Sequence, residues 1–336
     1  MNRQARDHFS PLTSPSELQD NKFSRREFFV FTSIACLTSG FGNSKRVSAA
    51  DSDVGEVGCT LGFSTYGMPE IQSERAIELL NEIGFDSVEL SVREGVDADS
   101  AALSEERRRE IRKRLSDSGM KLTSLMEHVA PSDEKRQQHA LDRLKSAADL
   151  AHDLSPVSPP LIQTVLGGGE FLEARERLVD YLGQWNELAE KSEVVIAVKP
   201  HRGGVVSKPS EAIWLFEQLG KPKQLRMVYD FSHYAFRGMT LGKTVEESLP
   251  YVAHVAVKDA AQKDGRVSFL LPGQAGTIDF AKLIGDLHAG GYRGDINCEV
   301  SSMVSKQEGY DSLNAARVCY KNMSDAFERS GVRRPL

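Results

Sequence analysis

Paired cysteines are missing from this 336-residue sequence, which contains four cysteines in all. Cys36, Cys59, Cys298 and Cys319 form no CxxC pair and match no zinc-finger spacing. Neither a disulfide framework nor a thiolate metal site is therefore indicated.

An excess of positive charge is missing as well. The chain carries 48 acidic and 42 basic side chains, for a formal net charge of -6. Proteins that bind nucleic acid concentrate lysine and arginine on one surface, so we expect no nucleic-acid partner. Hydrophobic residues make up 40% of the chain, which is ample for a large core.

The apolar run near the N-terminus is too short to cross a bilayer, which takes about 20 residues. It follows the segment SRREFFV at residues 24–30 and ends near Leu37, and small residues at 48–50 offer a cleavage site. The pair Arg25 and Arg26 before such a run is typical of a twin-arginine (Tat) signal. We predict that residues 1–50 are a signal peptide and disordered N-terminus. The mature protein is then expected in the periplasm, without a stable membrane anchor.

From residue 59 onward, short β-branched or apolar runs alternate with longer helical patterns. The predicted strands cover residues 60–64, 87–90, 121–126, 161–165, 194–198, 226–229, 252–257 and 295–300. Helical patterns between them include residues 76–83, 104–116, 134–152, 174–191 and 209–220. Alternation of this kind indicates parallel strands joined by crossover helices. We predict a single α/β domain, a (β/α)8 TIM barrel over residues 59–328, with a doubly wound open sheet as the alternative.

Polar side chains stand at or just after the ends of five otherwise apolar strands. They are Glu89, Lys199, His201, Asp230, His233, His254, Lys258 and Glu299. Catalytic groups of parallel barrels come from these strand ends. We therefore expect Glu299 and Asp230 to share one pocket with His233 and Lys199, and we expect the opposite ends of the strands to carry no comparable polar cluster.

This set of residues suits proton abstraction next to a carbonyl group. A carboxylate such as Asp230 or Glu299 takes the proton, while a cation or a metal stabilises the enolate oxygen. Period-two alternation places Lys199 and His201 on one side of their strand. It does the same for His254, Ala256 and Lys258. Glu89 has a second interpretation, in which it only satisfies a buried cation inside the barrel.

Several short segments resemble the xylose isomerase-like barrels of the AP endonuclease 2-like superfamily. They are IGFDSVEL at 83–90, YDFSH at 229–233, HVAVKD at 254–259, PGQAGTIDF at 272–280, and GY at 291–292 leading to CEV at 298–300. The resemblance covers nearly all of residues 59–325. It implies a TIM barrel related to ketose epimerases, hydroxypyruvate isomerases and inosose dehydratases.

The resemblance also implies a divalent metal site, from which this chain departs. Typical members bind the ion with a Glu, an Asp, a His and a Glu that end strands five to eight. Asp230 and Glu299 match two of these ligands, but Lys199 and Ala256 stand where the other two are expected. We therefore predict weak or absent binding of Mn, Zn or Mg.

Three alternatives remain open for this altered site. A histidine at 201, 233 or 254 completes a different metal site, or Lys199 replaces the ion and stabilises negative charge. In the third, a salt bridge fills a site whose chemistry has been lost.

The residues and the resemblance together predict an isomerase or epimerase that acts on a small sugar or sugar-like hydroxyketone. Glu299 is the expected base, Asp230 positions the substrate or a metal, and Lys199 stabilises the developing charge. The expected substrate-binding residues are His201, His233, His254, Lys258 and Glu89. A lyase or dehydratase uses the same enolate, and a non-catalytic carbohydrate-binding barrel is the alternative from another class.

Overall fold

A computed structural model describes residues 58–335. Within this range eight parallel strands close into a barrel, in the spatial order β1-β10-β7-β6-β5-β4-β3-β2. They are β1 (Thr60–Ser64), β2 (Ser87–Ser91), β3 (Lys121–Met126), β4 (Leu161–Thr164), β5 (Ile196–Val198), β6 (Leu225–Tyr229), β7 (Val252–Val257) and β10 (Asp295–Cys298). The predicted (β/α)8 TIM barrel is confirmed. The open-sheet alternative is wrong, because β1 pairs with both β2 and β10.

Helices lie between the strands and cover the barrel. They are α1 (Ser73–Ile83), α2 (Glu105–Ser118), α3 (Glu134–Leu154), α4 (Phe171–Lys191), α5 (Pro209–Gln218), α6 (Leu241–Ser248), α7 (Phe280–Ala289), α8 (Ser302–Ser305) and α9 (Ser312–Ser330). The side chains of Ser104, Asp133 and Asp279 cap α2, α3 and α7 by accepting a backbone N–H of the first turn. Gly84 ends α1 at a φ of 108°, a left-handed conformation that favours glycine.

The hydrophobic core lies between the barrel wall and the helices, whereas the inside of the barrel is largely polar. On β1, Leu61 and Phe63 point outward into this core and are fully buried. Their neighbours face inward, since Thr60 donates to Asp295 of the adjacent strand β10 and a Cβ on Gly62 would lie 2.6 Å from a carboxylate oxygen of Asp295. Strand alternation therefore sorts apolar residues outward and polar residues toward the site.

An antiparallel hairpin after β7 was absent from the predicted strands. It consists of β8 (Asp259–Lys263) and β9 (Arg266–Leu270), with Lys263 opposite Arg266. The two turn residues, Asp264 and Gly265, have φ values of 49° and 75°. An Asp-Gly pair with two positive φ angles is typical of the tight turns that join two-stranded hairpins, so the sequence did contain a local signal.

Five barrel strands have a boundary that differs from the one predicted, by one residue in β2, β4 and β6 and by two residues in β5 and β10. Strand β5 begins at Ile196, two residues late, because the backbone N–H of Val194 still donates to the carbonyl of Ala189 at the end of α4. Strand β10 ends at Cys298, so Glu299 already belongs to the loop.

The predicted signal peptide and Cys36 lie outside the described residues. Within residues 58–335, none of the helices combines the length and the apolar character needed to span a bilayer.

Candidate active site

Four charged side chains meet where β5, β6, β7 and β10 end. Lys199, Asp230, Lys258 and Glu299 each directly follow the last residue of a strand, and none is more than 6% exposed. Lys258 Nζ donates to Asp230 Oδ2 at 2.5 Å and to Glu299 Oε1 at 2.7 Å. Lys199 Nζ donates to Glu299 Oε2. We call this buried chain of alternating charges the mouth cluster.

The mouth cluster shifts the pKa values of Glu299 and Lys258. Burial by itself would raise the pKa of Glu299, but Lys199 and Lys258 outweigh burial and hold that pKa well below its usual range. Burial would likewise lower the pKa of Lys258, yet Asp230 and Glu299 raise it above its ordinary value. Glu299 and Lys258 are therefore both ionised at neutral pH.

Two neutral histidines lie beside the cluster. The ring centroids of His201 and His233 are 4.1 Å apart. The backbone N–H of Arg202 donates to His233 Nδ1, which assigns the ring proton to Nε2, 3.4 Å from Asp230 Oδ2. Burial, followed by repulsion from Lys258, lowers the pKa of His201 to about 4 and the pKa of His233 well below its usual value. Both rings are therefore uncharged at neutral pH.

A one-turn 3-10 helix, Phe231–His233, brings His233 back toward Asp230. Asp230 Oδ1 caps this turn, because it accepts the backbone N–H of Ser232 at 3.1 Å and the hydroxyl of Ser232 at 2.6 Å. The YDFSH segment thus encodes a carboxylate and an imidazole held side by side.

A cavity of about 300 Å³ opens at the C-terminal end of the barrel. Lys199, His201 and Glu299 line one part of its wall. Its other polar lining residues were not identified from the sequence. They include Tyr66, Arg93, Glu127, His128, Gln163 and Arg202.

The hairpin covers the remainder of the mouth cluster. The ring centroid of Phe269, on β9, lies 5.0 Å from that of His233 and 5.3 Å from Lys258 Nζ. Asp230, His233 and Lys258 are accordingly buried and lie outside the lining of this cavity. Lys199, His201 and Glu299 are thus the predicted site residues that line this cavity.

Glu127 is the most informative of the residues that sequence reasoning missed. It directly follows β3, so the search for polar residues at strand ends, when extended to β3, would have found it. Glu127 Oε2 accepts from Arg143 at 2.6 Å, and Oε1 accepts the backbone N–H of His128 at 2.9 Å. Burial nevertheless raises the pKa of Glu127. The two carboxylates that line the cavity, Glu127 and Glu299, therefore have pKa values shifted in opposite directions.

Glu89 and His254 lie deeper in the barrel than the cavity. Glu89 Oε2 accepts from Gln163 Nε2 at 2.6 Å and from the hydroxyl of Ser124, and it lies 3.3 Å from His254 Nε2. Asn297 Nδ2 donates to the other carboxylate oxygen. Neither Glu89 nor His254 lines the cavity, so this layer supports the site from below.

A further polar cluster lies near the beginnings of the strands, where we expected none, so that expectation is wrong. Asp295 accepts hydrogen bonds from Ser87 at 2.5 Å, Thr60 at 2.7 Å and Thr123 at 3.0 Å. Burial raises the pKa of Asp295. Gly62 leaves the space that this carboxylate occupies. A groove of about 1190 Å³ also opens at this end, but the catalytic residues of TIM barrels come from the other end.

The mouth cluster does not fit a divalent metal ion. Ligand atoms of Asp230, His233 and Glu299 lie within 4.8 Å of one another, a spacing suited to an ion. However, Lys258 Nζ already donates to both carboxylates. A divalent ion about 4 Å from one ammonium would be repelled by about 8 kcal/mol at an effective dielectric of about 20. Ala256, where the resemblance implies a histidine, packs with Ala197 and Val228 inside the barrel.

Solved structures share this architecture at low sequence identity. A 3-keto-D-glucoside 4-epimerase from E. coli aligns with a TM-score of 0.63 and 15% identity, over 80% of this chain and 99% of that one. The crystal structure of the IOLI protein with a bound zinc atom aligns with a TM-score of 0.65 and 15% identity, over 81% of this chain and 99% of that one. At identities this low, the structural similarity shows a common fold and no more.

A curated relative matches a shorter stretch of the sequence. It is a protein from Mus musculus provisionally named hydroxypyruvate isomerase, 28% identical over 107 residues. The match covers 32% of this chain and 36% of the relative, so the chain spans about a third of that relative's length. The model of the xylose isomerase-like TIM barrel family, by contrast, matches residues 77–317. Because that match includes most of the sequence, the chain belongs to the xylose isomerase-like TIM barrel family.

Proposed function

We propose that the protein is an isomerase or epimerase that moves a proton next to the carbonyl group of a sugar or hydroxyketone, and that an ammonium group replaces the metal ion. The observation that carries this proposal is the mouth cluster, in which Lys199 and Glu299 line the cavity. The names of the similar epimerase and isomerase support the same class of reaction.

The states of the two cavity carboxylates suggest separate roles. Pairs of acidic groups whose environments push their pKa values apart divide the work of proton transfer. Glu299 is held ionised by two ammonium groups and has little affinity for a proton. Glu127, with its raised pKa, is better suited to accept one. We therefore assign the base to Glu127, whereas Glu299 positions Lys199.

The reaction then follows from three of the cavity residues. Glu127 takes the proton from the carbon next to the carbonyl, and the negative charge that develops on the carbonyl oxygen is stabilised by the Lys199 ammonium. Return of that proton to the former carbonyl carbon, together with transfer of the neighbouring hydroxyl proton to the former carbonyl oxygen, gives the isomer. For an epimer, the neutral His201 in the cavity wall gives the proton of one ring nitrogen to the other face of the same carbon while its second ring nitrogen takes a proton from water, and Glu127 releases its own proton to solvent. A dehydratase would use the same enolate and expel a hydroxyl group.

Glu127→Gln is expected to lower the rate of proton exchange about 10²- to 10⁴-fold, because the amide cannot accept the proton. The measurement is the incorporation of solvent deuterium into ketoses and 3-keto sugars, followed by NMR. In the unmodified protein the rate should fall at acidic pH as Glu127 becomes protonated, at a pH above the ordinary value for a glutamate.

Glu94→Gln is the matched control, because Glu94 is an exposed carboxylate outside this cavity. If Glu299→Gln stops exchange while Glu127→Gln does not, Glu299 is the base. If none of the ketoses and 3-keto sugars exchanges deuterium but several of them bind, the protein is a non-catalytic carbohydrate-binding barrel.

We also propose that the protein is exported through the Tat pathway, on the basis of Arg25 and Arg26. Replacing both with lysine should retain the protein in the cytoplasm, because the pathway reads the arginine pair. Cell fractionation measures the effect, with the pair Arg3→Lys and Arg6→Lys as the control. Unchanged export of the Arg25→Lys, Arg26→Lys variant would refute the proposal.

A further inference from the structure

The cavity wall contains an arginine that forms no ion pair with a carboxylate of residues 58–335. Arg93 lies in the loop after β2, half-buried, with its guanidinium carbon 4.4 Å from the ring centroid of Tyr66. Its Nε is buried and has no hydrogen-bond partner among residues 58–335. A buried donor left without a partner costs free energy, so a group that accepts this hydrogen bond would bind favourably.

Arg202 presents a second such cation. It follows β5 and lines the same cavity. One of its terminal nitrogens donates to the carbonyl of Ala235, while its buried Nε lacks a partner in the described part of the chain. No carboxylate within residues 58–335 forms an ion pair with Arg202. Burial and the nearby Arg237 lower its pKa, which reflects the absence of a compensating anion.

The carboxylates that line the cavity do not neutralise these arginines. Glu127 pairs with Arg143, and Glu299 is bonded to both Lys199 and Lys258. Each acidic group is thus already matched by a cation. Arg93 and Arg202 remain as an excess of positive charge facing a small cavity, where low dielectric strengthens electrostatic interactions.

We propose that the substrate of this site is a sugar acid, whose carboxylate binds Arg93 while its hydroxyketone end reaches Lys199. This inference rests on the proposed function for the second contact only. A guanidinium holds a planar carboxylate through two parallel hydrogen bonds. The cavity of about 300 Å³ is at the small end of ligand sites, which favours a monosaccharide over a larger ligand.

Binding measured by titration calorimetry tests the carboxylate contact without requiring turnover. The probes are D-galacturonate, the uncharged D-galactose, and D-glucose 6-phosphate. We expect galacturonate to bind about 10- to 100-fold more tightly than galactose, because a hydrogen bond between charged groups increases affinity by a factor of this size. Arg93→Gln should remove that preference, and Arg93→Lys should restore part of it, because lysine keeps the charge but loses the paired geometry.

Arg75→Gln is the control, since Arg75 is an exposed arginine of α1 that pairs with Glu78 and Glu82. Equal binding of galacturonate and galactose would overturn the inference, as would a preference that survives Arg93→Gln in a folded protein. Tighter binding of glucose 6-phosphate would overturn the assignment of a carboxylate. Arg93-dependent binding of galacturonate without deuterium exchange would support the subsite and refute the isomerase proposal.

Discussion

Lys258→Met is expected to destabilise the protein by about 3–5 kcal/mol, because it leaves buried carboxylates without their cation. Lys258 is 2% exposed and joins Asp230 to Glu299. Of these two acids, Glu299 retains Lys199, whereas Asp230 loses its only ammonium partner among the described residues. Thermal unfolding in metal-free buffer should show the loss as a lower Tm, by roughly 2–4 °C for each kcal/mol.

Zinc should then restore part of the stability of the Lys258→Met variant, although Lys199 remains bonded to Glu299 and repels the ion. With the ammonium removed, Asp230, His233 and Glu299 offer three ligand atoms at a suitable spacing. A ligand that binds only the folded state raises the Tm as its concentration increases. The unmodified protein should show no such response to zinc. Adding Lys199→Glu and Ala256→His should increase zinc affinity further.

The exposed Lys145, replaced by methionine, is the control for loss of a lysine. An equal rise of Tm with zinc in the unmodified protein would show that the ion displaces Lys258. The site would then support a metal-dependent reaction. A Lys258→Met variant as stable as the parent would mean that the cluster contributes little to folding.

Lys199→Ala is expected to reduce kcat about 10²- to 10³-fold, as the loss of one group that stabilises an oxyanion does. Stability should fall much less, because Glu299 keeps its bond to Lys258. Deuterium exchange and urea unfolding measure the two effects on the same variant. A large loss of activity with little loss of stability identifies Lys199 as a group that contacts the transition state.

Lys145→Ala provides the comparison, since that lysine is exposed and forms an ion pair within α3. A decrease in activity that merely follows the fraction of folded protein would assign Lys199 a structural role. Full activity in the Lys199→Ala variant would exclude it from catalysis.

The fold was predictable from the sequence because a buried barrel strand is a short apolar run with a polar residue at its end. Tyr229 followed by Asp230, and Cys298 followed by Glu299, illustrate this pattern. The hairpin was less evident, because β8 (DAAQK) has little apolar content and Phe269 is the one buried residue of β9. Its Asp264-Gly265 turn was the available signal.

The site was predictable in its members and less so in its contacts. The strand ends identified the four residues of the mouth cluster, but period-two alternation does not say which ammonium meets which carboxylate. One of the three alternatives had Lys199 replace the ion, whereas Lys258 is the residue bonded to both Asp230 and Glu299. Arg93 and Arg202 lie in loops, whose direction depends on tertiary packing that no local pattern encodes.

The hairpin that carries Phe269 makes the entrance to the site one-sided. It shields His233 and Lys258, while the open wall contains Tyr66, Arg93 and Glu127. Under the proposed function, an enolate held against that wall would present one face to Glu127. The β8–β9 hairpin, by closing one side of the barrel mouth, would then fix which face of the substrate Glu127 can deprotonate.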